Sequence, residues 1–318
     1  MAVANPPIKA SAVARAKPAT SVGTRREITW GLIFLSPWFI GFLAFQLLPI
    51  LSTFGFSLTD YNPVQPDAVK FIGMNNYARM LADPLTFQSL GVTIKFALIA
   101  VPIGLVVPLL FAVLVNSKSL LGANVFRTLF YMPYIIPVVA AVMVFQGVLN
   151  AQTGWINLAI SFFGLEGPRW LTDPNWVLFA LNLIGVWGAG NAMLIFLGAL
   201  QGVPSELYEA AIVDGATPVR RFFSITLPMI SPVIFYNVII GVILSFQYFV
   251  VALLVGSRNG DPQGATLFYN LHLYRQGFVF NEMGYASALG SVLFIIVMVL
   301  TGLLFAFGQR FVYYAAES

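Results

Sequence analysis

The side chains able to do chemistry are few. Among 318 residues there is one histidine, His272, and no cysteine. Thiolate chemistry and disulfides are therefore excluded, and a lone histidine without a second soft ligand does not make a metal site. The titratable groups that stand out are Glu206, Glu209 and Asp214, in a polar stretch set between long apolar runs. That stretch reads Glu209-Ala210-Ala211-Ile212-Val213-Asp214-Gly215-Ala216 and closes on Ile225-Thr226-Leu227-Pro228. A carboxylate among small residues is suited to one charge-assisted contact with a partner that approaches closely, not to bond chemistry. No Gly-x4-Gly-Lys-[Ser/Thr] sequence is present to cradle ATP phosphates. The chain is expected to hold no catalytic residue, no metal and no cofactor, and to be driven from outside.

The elements that position this stretch follow from composition. With 59% hydrophobic and 9% charged residues, the chain falls far below the roughly 25% charge of soluble domains, so lipid is its solvent. A spanning helix needs about 20 mostly apolar residues, and six runs qualify, near 29–52, 90–115, 129–149, 176–200, 230–255 and 285–308. Lys95 is the ionisable residue well inside a run, where its stem can snorkel to the interface. If the N-terminus is cytoplasmic, the inner segments carry Lys9, Arg15, Lys17, Arg25, Arg26, Lys118, Arg127, Arg220, Arg221 and Arg310. The outer ones carry Lys70, Arg79, Arg169, Arg258 and Arg275. That excess places both termini and the Glu209 stretch inside. No basic run interleaved with aromatics suggests a nucleic-acid surface.

Residues 1–28 read as a disordered basic tail near anionic headgroups, and 313–318 as a short cytoplasmic tail. The first apolar run starts too late and is too long for a cleaved signal peptide, so it is expected to stay as the first span. Pro37 and Pro49 should bend it. The outer segment 57–88 suggests a short surface helix near 74–82. Pro133 and Pro137 make a regular helix at the start of the third run doubtful, and broken backbone at membrane depth usually lines a cavity. Trp155, Trp170 and Trp176 suit an interface belt, and Gly188 and Gly190 permit close packing or unwinding. His272 falls in the last outer loop and is expected to be solvated. The small residues from Gly284 to Ser291 suggest a helix-packing face.

The inner loop, 201–229, reads as a helix–turn–helix. Ser205 can cap a first helix through Glu209, and Gly215 can end it in a left-handed turn. Thr217-Pro218 suits the start of a second helix through Arg221-Phe222-Phe223, which Pro228 is expected to stop. Asp214 is either a second contact carboxylate or a local helix-end group.

The loop pattern E-A-A-x3-G-x9-I-x-L-P is complete here. Together with Leu35-Ser36-Pro37-Trp38, the run Phe126-Arg127-Thr128-Leu129-Phe130-Tyr131-Met132-Pro133 and Gly284-Tyr285-Ala286-Ser287-Ala288, it resembles the permease subunits of carbohydrate ABC importers. The maltose, multiple-sugar and glycerol-3-phosphate systems are the types concerned, and the resemblance covers about 28–312. It implies an all-α integral membrane protein with six transmembrane helices, the type I ABC importer permease (MetI-like) fold, over 29–312. It also implies a heterodimer with a second permease, two copies of a cytoplasmic ATPase that hydrolyse ATP, an extracytoplasmic solute-binding protein, and a bacterial or archaeal plasma (inner) membrane. Glu209, Ala210, Ala211, Asp214, Gly215, Leu227 and Pro228 are then the ATPase-coupling residues. Cargo contacts in the maltose-type relative map to Tyr134, Gly188, Asn191, Leu244, Ser245 and Tyr248. Tyr134 keeps the family residue, whereas Leu244, Ser245 and Tyr248 depart from that relative's aromatic and asparagine residues. Such hydroxyls also serve simply to bond neighbouring helices.

Three other readings fit the residues less well. A proton- or sodium-driven transporter usually needs buried ionisable residues, and the fourth, fifth and sixth runs have none. A membrane enzyme would need a cluster of His, Cys, Asp or Glu. A glycerol phosphate cargo would favour cations in the cavity, and the runs offer only Lys95.

Overall fold

The computed structural model describes residues 21–117, 119–308, 310, 312 and 313. The expected tail up to residue 20, with Lys9, Arg15 and Lys17, lies outside them, as do Lys118 and residues 314–318. Among the described residues the chain is helical, with one isolated bridge between Thr59 and Phe71. It divides into a unit ending at Ser52 and a unit beginning at Thr53.

The helices run α1 Ser21–Phe42, α2 Leu48–Phe56, α3 Asn75–Ala82, α4 Pro84–Asn116, α5 Ala123–Ile135, α6 Val138–Val148, α7 Trp155–Ser161 and α8 Val177–Trp187. They continue as α9 Gly190–Gln201, α10 Ser205–Val213, α11 Pro218–Arg221, α12 Leu227–Met229, α13 Ser231–Phe246, α14 Val250–Gly256, α15 Tyr269–Tyr274 and α16 Met283–Gly308. Helical backbone over Arg26–Phe56, α4 and α16 are each long and apolar enough to cross a membrane. Three bent pairs bring the total to as many as six if each pair is counted as one span: α5 with α6 at 101°, α8 with α9 at 56°, and 218–229 with α13 at 67°.

Helix α1 is already formed at Ser21, ahead of the residue 29 expected for the first span. Pro37 sits inside α1, and a π-helical turn, Leu43–Leu47, precedes Pro49. The break in the third span falls at Ile136-Pro137, not at Pro133, which lies within α5. Ile136 adopts the extended backbone that a following proline demands. The outer helix appears as α3, where the buried Asn76 amide donates to the carbonyls of Ser57 and Thr59 at 2.8 Å each.

Helix α4, 33 residues and thus about 50 Å long, is the post of the second unit. It contributes to three buried clusters in turn. Phe96 packs with Val142, Leu181 and Phe268, and Ala97 with Phe246, Tyr269 and Leu289. Ala112 and Val115 pack with Met193 and Phe196. The helix outreaches a hydrocarbon core of about 30 Å, so its outer turns are clothed by protein: buried Thr93 accepts from the Tyr269 N–H at 3.0 Å. Lys95 is exposed on its flank. At Gly284, opening α16, a Cβ would run into the Thr59 carbonyl, which explains the small residues there.

Three expectations are corrected. The fifth span does not continue to residue 255: α13 ends at Phe246, and Gln247–Phe249 break before α14. The break turns the Tyr248 ring against Phe96 and Phe268, with centroids 4.3 and 5.0 Å away, so aromatic packing prevails over helix continuity. Trp155 is 75% exposed, but Trp170 is only 7% exposed and donates its indole N–H to Asn157 at 2.6 Å, so it is a core residue and not an interface anchor. His272 is fully buried, not solvated. The outer segment folds inward on α15, bringing Nε2 to 3.2 Å from the Asp83 carboxylate and 3.5 Å from the Thr86 hydroxyl.

That buried group also predicts a pH dependence. Burial lowers the His272 pKa and is only partly offset by Asp83, while Arg275 and Arg79 lower it further. The imidazole is therefore neutral and donates from Nε2, leaving Nδ1 as an unpartnered lone pair. Burial raises Asp83, but the Leu85 N–H, the Tyr285 hydroxyl and His272 outweigh it and hold the carboxyl below its usual value. Because folded His272 binds its proton less tightly than the unfolded reference of 6.5, stability is lost as pH falls through that value. Asp83 keeps its contribution until pH falls below 3.8. The melting temperature of the detergent-solubilised protein should therefore fall between about pH 8 and pH 5, and His272→Gln should flatten the slope. An unchanged slope in the variant would remove His272 from this account.

Candidate functional site

The inner loop forms as two helices closed by backbone hydrogen bonds. Pro204 is the N-cap residue of α10 and Ser205 the first helical one, with no side-chain cap; the expected Ser205 cap is absent because proline's extended backbone makes the entry. Glu206 in the first turn faces the positive end of the helix. At the other end Asp214 is the C-cap and Gly215 is left-handed at φ +75°. The Gly215 N–H donates to the Ile212 carbonyl at 3.0 Å and the Ala216 N–H to the Ala211 carbonyl at 2.8 Å. This pair of bonds is the Schellman closure, which satisfies the last carbonyls of the helix.

The second helix starts as expected, with the Thr217 hydroxyl accepting from the Arg220 N–H at 3.3 Å and Pro218 at the first position. Pro228 does not stop it. A π-helical turn, Phe222–Thr226, widens the backbone so that the Leu227 N–H reaches the Phe222 carbonyl, and Pro228 is absorbed without the clash an α-helix would impose. The break comes instead at Ile230. The two halves of the loop are tied by a bond that no local pattern showed: the Tyr208 and Thr226 hydroxyls lie 2.8 Å apart, with Thr226 buried.

Glu209 and Ala210 are exposed, Ala211 is half-buried, and Asp214 and Gly215 are exposed. Among the described residues Glu209 makes no ion pair. Around it Leu207, Ile212 and Val219 are exposed, and Val213 is 87% exposed. An exposed carboxylate on a segment that also leaves apolar side chains uncovered and is closed by its own backbone bonds has the form of a docking surface.

The second feature is an intramembrane cavity of 220 Å³ between α4, α8 and α13. Leu244, Ser245 and Tyr248 line it, together with Asn182, Gly185 and Ala189. The Tyr248 hydroxyl is buried without a hydrogen-bond partner, whereas Ser245 donates to the Gly241 carbonyl at 2.7 Å and the Asn182 amide to that of Leu178 at 2.8 Å. Gly188 caps α8 at the bend beside this cavity. Tyr134 and Asn191 do not line it: both are exposed, near the place where α5 crosses α9. Gly190 makes that crossing, since a Cβ there would lie 2.5 Å from the Phe130 carbonyl oxygen. Asn182 was not among the residues singled out for cargo. Its signal, an amide alone in an apolar run, is shared with many packing residues.

A model of the binding-protein-dependent transport system inner membrane components matches residues 100–313, which span α5 to α16 and the whole loop. The chain belongs to that family. Among relatives, the probable ABC transporter permease protein YesP of Bacillus subtilis is 38% identical over 92% of this chain and 94% of its own length. The arabinooligosaccharides transport system permease protein AraP of the same organism is 32% identical over 85% of each. The trehalose/maltose transport system permease protein MalF of Thermococcus litoralis is 31% identical over 87% of this chain and 92% of its own length. A chain of a bacterial ABC transporter involved in the import of alginate superposes with a TM-score of 0.76 at 23% identity, covering 92% of this chain and 99% of that one. This last likeness establishes the fold. The protein is a multi-pass membrane component of a binding-protein-dependent transport system and not an enzyme.

Within this family member the loop geometry makes a specific prediction. A Cβ at Gly215 meets nothing within 4 Å, so a substitution there acts through the backbone alone. Gly215→Val should destabilise the loop by about 1–2 kcal/mol and speed amide exchange across 205–226, whereas Gly215→Asn, which tolerates a left-handed turn, should leave exchange near wild type. Equal exchange in both variants would show that the left-handed turn does not set the loop's rigidity.

Proposed function

We propose that this chain is one of two different permease subunits of an ATP-driven importer in a bacterial or archaeal plasma membrane, and that it translocates a sugar delivered by an extracytoplasmic binding protein. Two copies of a separate ATPase serve the permease pair, and one of them docks on this chain's inner loop, with Glu209 as the ionic contact and Gly215 at the tip seated in the ATPase cleft. The observation that carries this reading is the loop itself: a rigid, closed helix–turn–helix with an unpaired carboxylate and apolar side chains left uncovered at the cytoplasmic end of the spans. Such a surface needs a partner. The chain's lack of a phosphate-cradling sequence requires that the partner supply the ATP chemistry.

The sugar is supported by the relatives named for arabinooligosaccharides and for trehalose/maltose, and by the cavity's chemistry. Tyr248, Ser245 and Asn182 are neutral hydrogen-bonding groups beside the aromatic Phe96. That lining suits hydroxyl-rich neutral rings better than a phosphate, which would call for cations. The unpartnered Tyr248 hydroxyl is the group best placed to change partners when cargo passes, and Tyr134 and Asn191 would serve a path completed by the second permease. Movement of the loop with the ATPases would switch the cavity between inward and outward access, with cargo stabilising the two states differently.

Glu209→Ala should reduce transport and cargo-stimulated ATP hydrolysis about tenfold or more, as expected when a charge-assisted contact worth about 1.5–3 kcal/mol is lost. Insertion in the membrane should be unaffected. The measurement is uptake by cells together with ATP hydrolysis by the purified assembly; wild-type coupling in the variant would remove Glu209 from the interface.

A further inference from the structure

At the foot of the inner loop lies a second cavity, which shares Leu227 and Pro228 with the coupling residues but has no part in carrying cargo. It is a groove of 550 Å³ between the base of α13 and the end of α16, with Phe223, Ile234, Phe235, Val238, Leu304 and Phe307 among its walls. Its floor is closed where Gly308 meets the Phe235 ring, since a Cβ at 308 would overlap that ring. The Phe235 and Phe305 rings stack edge to face at 5.5 Å. Beyond α16 the Tyr313 N–H donates to the Ser231 hydroxyl at 2.9 Å.

The charged residues that flank the groove's lining segments are arginines. Arg220 and Arg221 directly precede the groove wall at Phe223, and Arg310 lies between the lining residues Gly308 and Val312. No Asp or Glu occurs in 218–238 or 304–313. Arg220 and Arg310 are exposed, and the Arg221 Nε is buried without a hydrogen-bond partner. The convex faces of spanning helices meet bulk lipid without selecting it. A concave apolar slot whose own lining segments carry arginines and no carboxylates matches an acyl chain that carries an anionic headgroup.

We infer that the groove binds an anionic phospholipid of the cytoplasmic leaflet, with one acyl chain between α13 and α16 and its phosphate held by Arg310 and the Arg220-Arg221 pair. The site does not depend on the identity of the ATPase or of the cargo. Phe223 belongs both to its wall and to the inner loop, so the lipid lies against the segment that the proposed transport cycle moves.

The test is native mass spectrometry of the full chain, purified in mild detergent with whatever subunits accompany it, delipidated and then offered phosphatidylglycerol or phosphatidylcholine. The expected result is retention of one phosphatidylglycerol per chain in preference to phosphatidylcholine. Retention should be roughly fivefold weaker in Arg310→Ala, the loss expected of one cationic contact. Val238→Trp, which fills the slot, should abolish it. If Val238→Trp does not assemble, Arg310→Ala alone decides. Equal retention of the two lipids, undiminished phosphatidylglycerol in Arg310→Ala, or no retained lipid because a span of an accompanying subunit fills the groove would each overturn the inference.

Discussion

Hydrocarbon offers no water to a broken backbone, and this constraint shapes the second unit. Every interruption in a span must be clothed by protein or line a cavity. The molecule solves this with one long helix and several short ones. Helix α4 runs from Pro84 to Asn116 and carries all three buried clusters, so breaks elsewhere can be sheltered against it. The bend between α8 and α9 sits beside Gly190, where the α5 backbone closes in. The interruption after α13 is filled by the Tyr248 ring packed against Phe96 and Phe268. The 220 Å³ cavity opens among these same elements, so the places where helices fail are the places where a cargo can be met.

The inner loop obeys a different logic because it lies in water. Its rigidity comes from local closure, with the Schellman bonds at Gly215 and the Tyr208–Thr226 contact, and not from burial. The π-helical turn through Thr226 carries the helix past Pro228 to a 67° bend at Ile230. A push on α10 therefore meets a stiff body joined to α13 by one bend, which is the geometry of a lever. The same arrangement of a π-helical turn followed by Leu-Pro occurs at Leu43–Leu47 with Pro49, where a proline must again be carried inside a helix.

Much of this was legible in the sequence, and for local reasons. Apolar run length located six spans, Gly215 and Thr217-Pro218 located the turn and the second helix of the loop, and the cluster of small residues from Gly284 located a packing face. What sequence did not show depends on contacts between distant segments. His272 looked solvated because its loop is polar, yet Asp83 and Thr86 at the head of α4 draw it inside. Trp170 looked like an interface anchor, yet Asn157 holds its indole N–H. The fifth span looked continuous because neither proline nor glycine marks Gln247–Phe249; aromatic packing breaks it. Of the residues matched to cargo contacts, Leu244, Ser245 and Tyr248 share a cavity and Gly188 lies at its edge, whereas Tyr134 and Asn191 are exposed and do not line it.

The central claim is that the exposed loop is the seat of a separate ATPase. Because the chain has no cysteine, Val213→Cys introduces its sole thiol at the most exposed apolar position of α10. A thiol-directed crosslinker applied to native membranes, followed by mass spectrometry of the adducts, reads directly what lies against the loop. The account predicts a crosslink to a cytoplasmic protein carrying a Gly-x4-Gly-Lys-[Ser/Thr] sequence, lost when Gly215 is replaced by valine. Adducts only with lipid, or only with a second copy of the same chain, would contradict it.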